Sequence, residues 1–256
     1  MDIEVIFLGT GTSSGVPMIG CPCEVCTSED RHDNRLRSSV LLRWQDGTTI
    51  VIDTGPDFRY QMLREGVRRL DAVLLTHSHK DHIAGLDDIR AFNFLTKKAI
   101  PVYCTAETED ALRREFAYAF KVPAYPGIPQ MDLHRIVDQP FSIGGKDFIP
   151  IEVRHARMEV LGFRTGAFAY ITDANEIPEK EFGKLQNLDV LVLNALRKER
   201  HVSHFTLEEA IAIGRKTGAK KVFFTHVSHQ LGLHAAVSKD LPQNMHLAFD
   251  GLRLNL

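Results

Sequence analysis

The sequence predicts an α/β fold in which layers of β-strands are covered by helices. Three observations carry this. Apolar runs of strand length end in Gly, Pro, Asp or Ser; residues 38–44 and 48–52 flank Asp46-Gly47, the turn chemistry of a β-hairpin; and amphipathic segments of helical spacing separate the later runs. Hairpins mixed with crossover helices fit stacked strand and helix layers.

In chain order, residues 3–8 read as a buried strand, followed by the loop G-T-G-T-S-S-G-V-P at 9–17. After the hairpin, Asp53-Thr54-Gly55-Pro56 turns into a helix ending near Glu65, then the strand Ala72–Thr76. A helix near 83–94, a strand near 100–103 and a helix near 106–120 follow, with a Pro/Gly loop at 122–129. Strands are expected near 147–153 and 161–172, a short helix at 178–185 and a strand at 189–194. Thr206-Leu-Glu-Glu209 is a capping box, opening a helix that Gly218 ends. Lys221–Thr225 and 246–255 supply the last strands. With 256 residues, 44% hydrophobic and 25% charged, the chain is expected to form a single domain over 1–256.

Composition also excludes classes of function. Lys and Arg total 31 against 33 Asp and Glu, a net charge of −2, so no broad basic footprint for nucleic acid is expected. No apolar run approaches the ~20 residues of a membrane span. The start, M-D-I-E-V-I-F-L-G, lacks the basic region of a secretory signal. Cys21, Cys23 and Cys26 are bunched and Cys104 stands alone, unlike a secreted disulfide framework, so a cytoplasmic home is expected.

Twelve histidines point to metal or proton chemistry, and position sharpens that. Thr76-His77-Ser78-His79-Lys80-Asp81-His82 places four potential ligands within six residues directly after a strand. His77 and His79 can face one way while Asp81 and His82 lie beyond the turn, which suggests two neighbouring ions. Imidazole and carboxylate suit zinc, manganese or iron. Further ligands are expected at other strand ends: His155, Asp173 (ending F-A-Y-I-T-D) and His226 (ending K-V-F-F-T-H). Gly20-Cys21-Pro22-Cys23-Glu24-Val25-Cys26 offers three soft thiolates for a zinc, with His229 of T-H-V-S-H-Q available as the fourth ligand. The first loop, with G-x-G-x₃-G spacing followed by prolines, is not a dinucleotide fingerprint.

H-S-H-K-D-H followed by His155, Asp173 and His226 resembles the five-motif signature of the metallo-β-lactamase superfamily, over essentially the whole chain. The resemblance implies a four-layer αββα sandwich with two divalent ions, zinc or manganese, at one edge of the inner sheets. It implies that His77, His79 and His155 hold one ion, that Asp81, His82 and His226 hold the other, and that Asp173 bridges them. The Cys₃His set resembles the branch of phosphoribosyl cyclic phosphate phosphodiesterases of the carbon–phosphorus lyase pathway, where a structural zinc braces the first loop. There a histidine matching His204 protonates the leaving oxygen; His201 competes for that place here. Catalysis is thus expected to rest on His204 and Asp81, with a hydroxide shared by the two ions attacking a small phosphodiester such as a cyclic ribose or nucleotide phosphate. The family suggests a homodimer.

Three rivals share the fold. A tRNA 3′-processing endonuclease resembles the chain in its first loop and ligands, but no long basic arm is visible. A thioester, lactone or β-lactam hydrolase fits the metal ligands, although the missing signal argues against a periplasmic lactamase. The quinone-cofactor biosynthesis protein B, a non-hydrolytic member, also carries a C-x-C-x₂-C loop, yet tends to depart from the full H-x-H-x-D-H set that is intact here. Residues 105–135 match the cyclic phosphodiesterases poorly and leave the pocket, and so the substrate, as the least constrained part. Arg154 and Arg157 flank His155 and either steer phosphate or are solvated.

Overall fold

The computed structural model describes residues 3–121 and 127–256. Most of the Pro/Gly loop expected at 122–129 lies outside the described residues.

The first sheet contains β1 (Ile3–Gly9), β2 (Ser39–Trp44), β3 (Thr49–Ile52), β4 (Ala72–Leu74), β5 (Ile100–Cys104), β6 (Met131–Arg135) and β14 (Arg253–Asn255), in the order β14-β1-β2-β3-β4-β5-β6. The second contains β7 (Phe141–Ile143), β8 (Lys146–His155), β9 (Met158–Thr165), β10 (Phe168–Ile171), β11 (Val190–Asn194), β12 (Lys221–Thr225) and β13 (Met245–Leu247), in the order β13-β12-β11-β10-β9-β8-β7. In each sheet one half is antiparallel, and β3 to β6 and β10 to β13 are parallel. The helices are α1 (Phe58–Arg64), α2 (Lys80–Ile83), α3 (Arg90–Thr96), α4 (Ala106–Glu115), α5 (Leu207–Thr217) and α6 (His234–Lys239).

Three apolar cores separate four layers. Phe7, Trp44, Phe148, Phe163, Phe168 and Tyr170 fill the space between the sheets. Phe58, Leu86, Phe92 and Leu112 pack the first sheet against α1, α3 and α4, and Leu185, Leu188, Ala210 and Val237 pack the second against α5 and α6. This is the αββα sandwich. Strands buried on both faces read as unbroken apolar runs, as in F-A-Y-I of β10 and V-L-V-L-N of β11.

Several expectations about elements need correction. The run 161–172 is a hairpin, β9 and β10, because Gly166 (φ 55°) reverses the chain inside it. The run 246–255 is two strands in different sheets; Gly251 (φ 87°) carries the chain from β13 across to β14. The helix expected at 83–94 breaks into α2, a 3₁₀ turn at Leu86–Ile89 and α3, and 106–120 ends as 3₁₀ after Glu115. The segment at 178–185 is 3₁₀ as well. The strands β6 and β7 and the helix α6 are additional; β6, M-D-L-H-R, is a half-exposed edge strand with too few apolar residues to announce itself.

Candidate metal centre

Every expected active-site ligand gathers at one edge of the two-sheet sandwich. β4, β10 and β12 deliver His77, Asp173 and His226 from their C-terminal ends, and β8, parallel to β10 within the antiparallel half, delivers His155. Two of these residues, with Asp53 at the end of β3, hold left-handed backbone: Asp53 (φ 65°), Asp173 (φ 55°) and His226 (φ 57°). Such conformations cost of order 1–3 kcal/mol at non-glycine residues and persist where the surroundings over-determine them. Here each turns the chain sharply so that a side chain aims across the sheet edge. Asn194 fixes one of these turns, accepting from Ala174 N (2.8 Å) and donating to Ala174 O (2.9 Å).

The side chains fall into two clusters. His77, His79, His155 and Asp173 bring one donor atom each within 4.8 Å of one another, and so do Asp81, His82, Asp173 and His226. Asp173 belongs to both: its Oδ2 lies 3.7 Å from His77 Nε2 and 3.4 Å from His82 Nε2, while Oδ1 lies 3.0 Å from His226 Nδ1. His77 Nε2 and His79 Nδ1 face each other at 3.0 Å, near the ~3.3 Å separating two ligands at ~2.0–2.1 Å from one tetrahedral ion.

The partners of these side chains set their orientation. His82 Nδ1 is 2.7 Å from Asp53 Oδ2, which leaves Nε2 facing Asp81 Oδ2 at 3.2 Å. That Nε2 is buried and has no hydrogen-bond partner among the described residues. An orphaned imidazole nitrogen ringed by carboxylates is what a cation would satisfy, so the residues fit a pair of divalent ions. His77 Nδ1 is held by Thr76 Oγ1 (3.0 Å), and His155 Nδ1 donates to Ser203 O (2.7 Å). Burial keeps His77 well below its usual pKa and lowers His79 and His226 too, which favours the neutral imidazoles that a metal ion would need. At His82 burial pulls the same way, but Asp173, Asp53 and Asp81 outweigh it and raise the pKa.

Asp53 is the main residue that the sequence did not single out. It is fully buried and binds His82 and both Thr76 N (2.9 Å) and Thr76 Oγ1 (2.9 Å). In sequence it looks like the polar residue of an Asp-Thr-Gly-Pro turn. Its signal would have been its position at a strand end beside the H-x-H-x-D-H strand.

His204 is buried, its ring 4.6 Å from that of His155 and 4.8 Å from that of His226. His201 stands one ring further out, 5.1 Å from His204. Arg154 forms an exposed pair with Glu159 (3.0 Å).

The second cluster also assembles. Cys21, Cys23, Cys26 and His229 bring their donor atoms within 4.8 Å, and the thiols are free. His229 Nδ1 is 3.5 Å from Cys21 Sγ and 3.3 Å from Cys23 Sγ, and this imidazole pulls the Cys23 thiol down to about 6. The first loop pairs with Val227, through Thr12 N to Val227 O (3.1 Å) and Val227 N to Thr10 O (2.9 Å). One short segment, His226-Val-Ser-His229, therefore joins both clusters. Cys104 is a buried residue of β5.

A family model described as a β-lactamase superfamily domain matches residues 48–227. The chain belongs to the metallo-β-lactamase superfamily. Within it, a solved structure described as a new diphosphatase of the PhnP family is 43% identical with a TM-score of 0.92, covering 99% of this chain and 98% of that one. An octanoyltransferase of Porphyromonas gingivalis is 40% identical over 252 residues, 98% of this chain but 51% of that protein. A coenzyme PQQ synthesis protein B of Methylorubrum extorquens is 28% identical over 181 residues, 62% of this chain and 57% of that protein. The chain spans about half the length of these curated relatives. The chain thus has the metallo-hydrolase fold and is related to the PhnP family, and its His/Asp clusters are of the kind that can hold divalent metal ions. Among the described residues, no helix is long and apolar enough to cross a membrane.

Proposed function

We propose that residues 1–256 act as one cytoplasmic hydrolase domain that cleaves a P–O bond of a small phosphodiester-type substrate. The observation that carries this reading is the position of His204, whose ring stacks on that of His226 (4.8 Å) and lies tilted against that of His155 (4.6 Å), one member of each donor cluster. A proton carrier beside both clusters would be within reach of the leaving oxygen of a phosphoryl group spanning them. The 43% identity to a PhnP-family diphosphatase supports the same chemistry.

In this reading His77, His79 and His155 hold one ion, Asp81, His82 and His226 the other, and Asp173 serves both. Zinc or manganese suits this donor set, and the Cys₃His set would keep a structural zinc. Divalent ions seated there supply a Lewis-acid clamp on the phosphoryl oxygens and a water acidified from pKa 15.7 to about 7. The chain's own part is positional. Asp53 holds His82 in one tautomer, Thr76 does so for His77, and the Ser203 carbonyl does so for His155. His204 delivers the proton. Burial, and after it the His226 ring, push it down to about 3, and an anionic phosphoryl group beside it would favour the protonated form. General-acid transfer typically contributes ~10²–10⁴-fold.

The test is hydrolysis of bis(p-nitrophenyl) phosphate by the metal-loaded protein. Turnover well above a His79→Ala control is expected; none above that control sinks the reading.

A further inference from the structure

Cys21, Cys23 and Cys26 are half-buried free thiols, whereas Cys104 is sealed inside β5. The three sulfurs gather with a His229 ring nitrogen within 4.8 Å of one another. Backbone donors face two of them: Cys26 N donates to Cys23 Sγ (3.5 Å) and Met18 N to Cys26 Sγ (3.3 Å). Sulfur that solvent can reach and that N–H groups face has the surroundings of a reactive thiolate, not of an inert buried thiol. Cys23 and Cys26 also have the C-x-x-C spacing of redox dithiols, so an oxidised sulfur has a resolving partner at hand. The same loop seats an active-site residue. His226 Nε2 lies 3.2 Å from Thr12 Oγ1, and its Nδ1 lies 3.3 Å from Ser38 Oγ. Three residues on, His229 belongs to the thiol cluster, and Val227 between them pairs with Thr10 and Thr12.

We propose that Cys23 and Cys26 form a peroxide-sensitive dithiol whose oxidation opens the thiolate cluster and loosens His226 in the active site. The inference rests on zinc at the Cys₃His set and on an ion beside His226, not on which substrate is cleaved. Two thiolates, one hydrogen peroxide and two protons from solvent give one disulfide and two waters. The Cys23 sulfur takes an oxygen as the O–O bond breaks, and the Cys26 sulfur then displaces that oxygen to form the S–S bond. Each step releases a hydroxide that takes up one proton; the thiolates lose two electrons and the peroxide gains them. Cys21 and His229 are then left, half of the four ligands that a structural zinc needs. The loop between Thr10 and Ser38 loses its brace, and with it His226 loses the firm seat given by Thr12 and Ser38.

The test treats the full chain, loaded with zinc because zinc is redox-inert, with hydrogen peroxide. One zinc per chain should pass to a chromogenic chelator as a Cys23–Cys26 disulfide appears in the peptide mass map, with Cys104 still free to alkylate after denaturation. An active-site ion should then yield to chelator roughly 10–100-fold more readily, the usual effect of losing a ligand's supporting contacts. Dithiothreitol with zinc should restore both. No zinc at the thiols, no disulfide between these two, or zinc retained after it forms overturns the proposal. Zinc release with active-site affinity within twofold overturns the link to His226, and failure to recover overturns a switch in favour of damage. In Cys26→Ser, peroxide should leave the active-site ion unmoved; an effect that persists there overturns the role of this pair. If wild type hydrolyses no phosphodiester, the hydrolysis reading falls, and the metal and thiol readouts still decide this one.

Discussion

Replacing Asp53 by Asn isolates the role of a residue that lies outside both donor clusters. Asn tolerates the left-handed backbone at this position (φ 65°), so the swap changes charge and hydrogen bonding with little strain. The carboxylate accepts from Thr76 N (2.9 Å), Thr76 Oγ1 (2.9 Å) and His82 Nδ1 (2.7 Å). An amide has one acceptor atom. If it keeps Thr76, its NH₂ faces His82 Nδ1, and the imidazole must move its proton to Nε2, the nitrogen that faces Asp81 and Asp173. That removes the lone pair an ion would use. If it keeps His82, the Thr76 N–H loses its acceptor. Either mismatch, buried, costs about 1–3 kcal/mol. Loss of such a supporting contact typically weakens metal binding 10–100-fold, which is about 1.4–2.7 kcal/mol. Chelator competition should therefore show one ion of the active-site pair released 10–100-fold more readily than in wild type. Affinity within twofold of wild type would refute the reasoning that Asp53 fixes the His82 tautomer.

Other expectations follow from the same contacts. His204→Ala should slow a substrate with an alkoxide leaving group by ~10²–10⁴-fold but spare p-nitrophenolate, which leaves without a proton; an equal loss on both would remove the general-acid role. Gly55→Ala would drive a Cβ into the Asp81 carbonyl backbone, so metal content should drop alongside a lower melting temperature, whereas Gly183→Ala meets nothing and should be silent in both. Thr206→Ala removes the cap of α5 and should lower stability by about 1 kcal/mol in urea titration. Burial raises Asp250 to about 6 from 3.8, so its contribution is fully present below pH ~4 and is lost as pH rises through ~6. Relative to Asp250→Asn, wild-type stability should fall by up to about 3 kcal/mol over that interval; parallel curves would contradict it.

The donor clusters were legible because His77, His155, Asp173 and His226 follow apolar runs and His79, Asp81 and His82 lie within five residues of His77, and strand ends at one edge of the sandwich converge whatever the loops between them do. The Cys₃His set was legible because its spacing is local, with one distant histidine, His229, three residues after His226 in the turn that follows β12. The supports were not: Asp53, Ser38 and Ser203 act through partners 29, 188 and 48 residues away, and sequence spacing does not encode those contacts. His226 illustrates this, its Nδ1 lying 3.3 Å from Ser38 Oγ and its Nε2 3.2 Å from Thr12 Oγ1. The broken helix after His82 has a similar cause. Gly85 packs against the Gly55 carbonyl with no room for a side chain, a close approach that steers the chain and that helical periodicity alone does not reveal. The hairpin hidden in 161–172 was masked because apolar residues fill both of its strands.

The proposed chemistry requires two ions in one shared site and a third among the thiolates. Metal content per chain of the natively purified protein, measured by inductively coupled plasma mass spectrometry, tests it most directly. Three ions are expected, one of them resisting mild chelation. One ion or none would contradict the account.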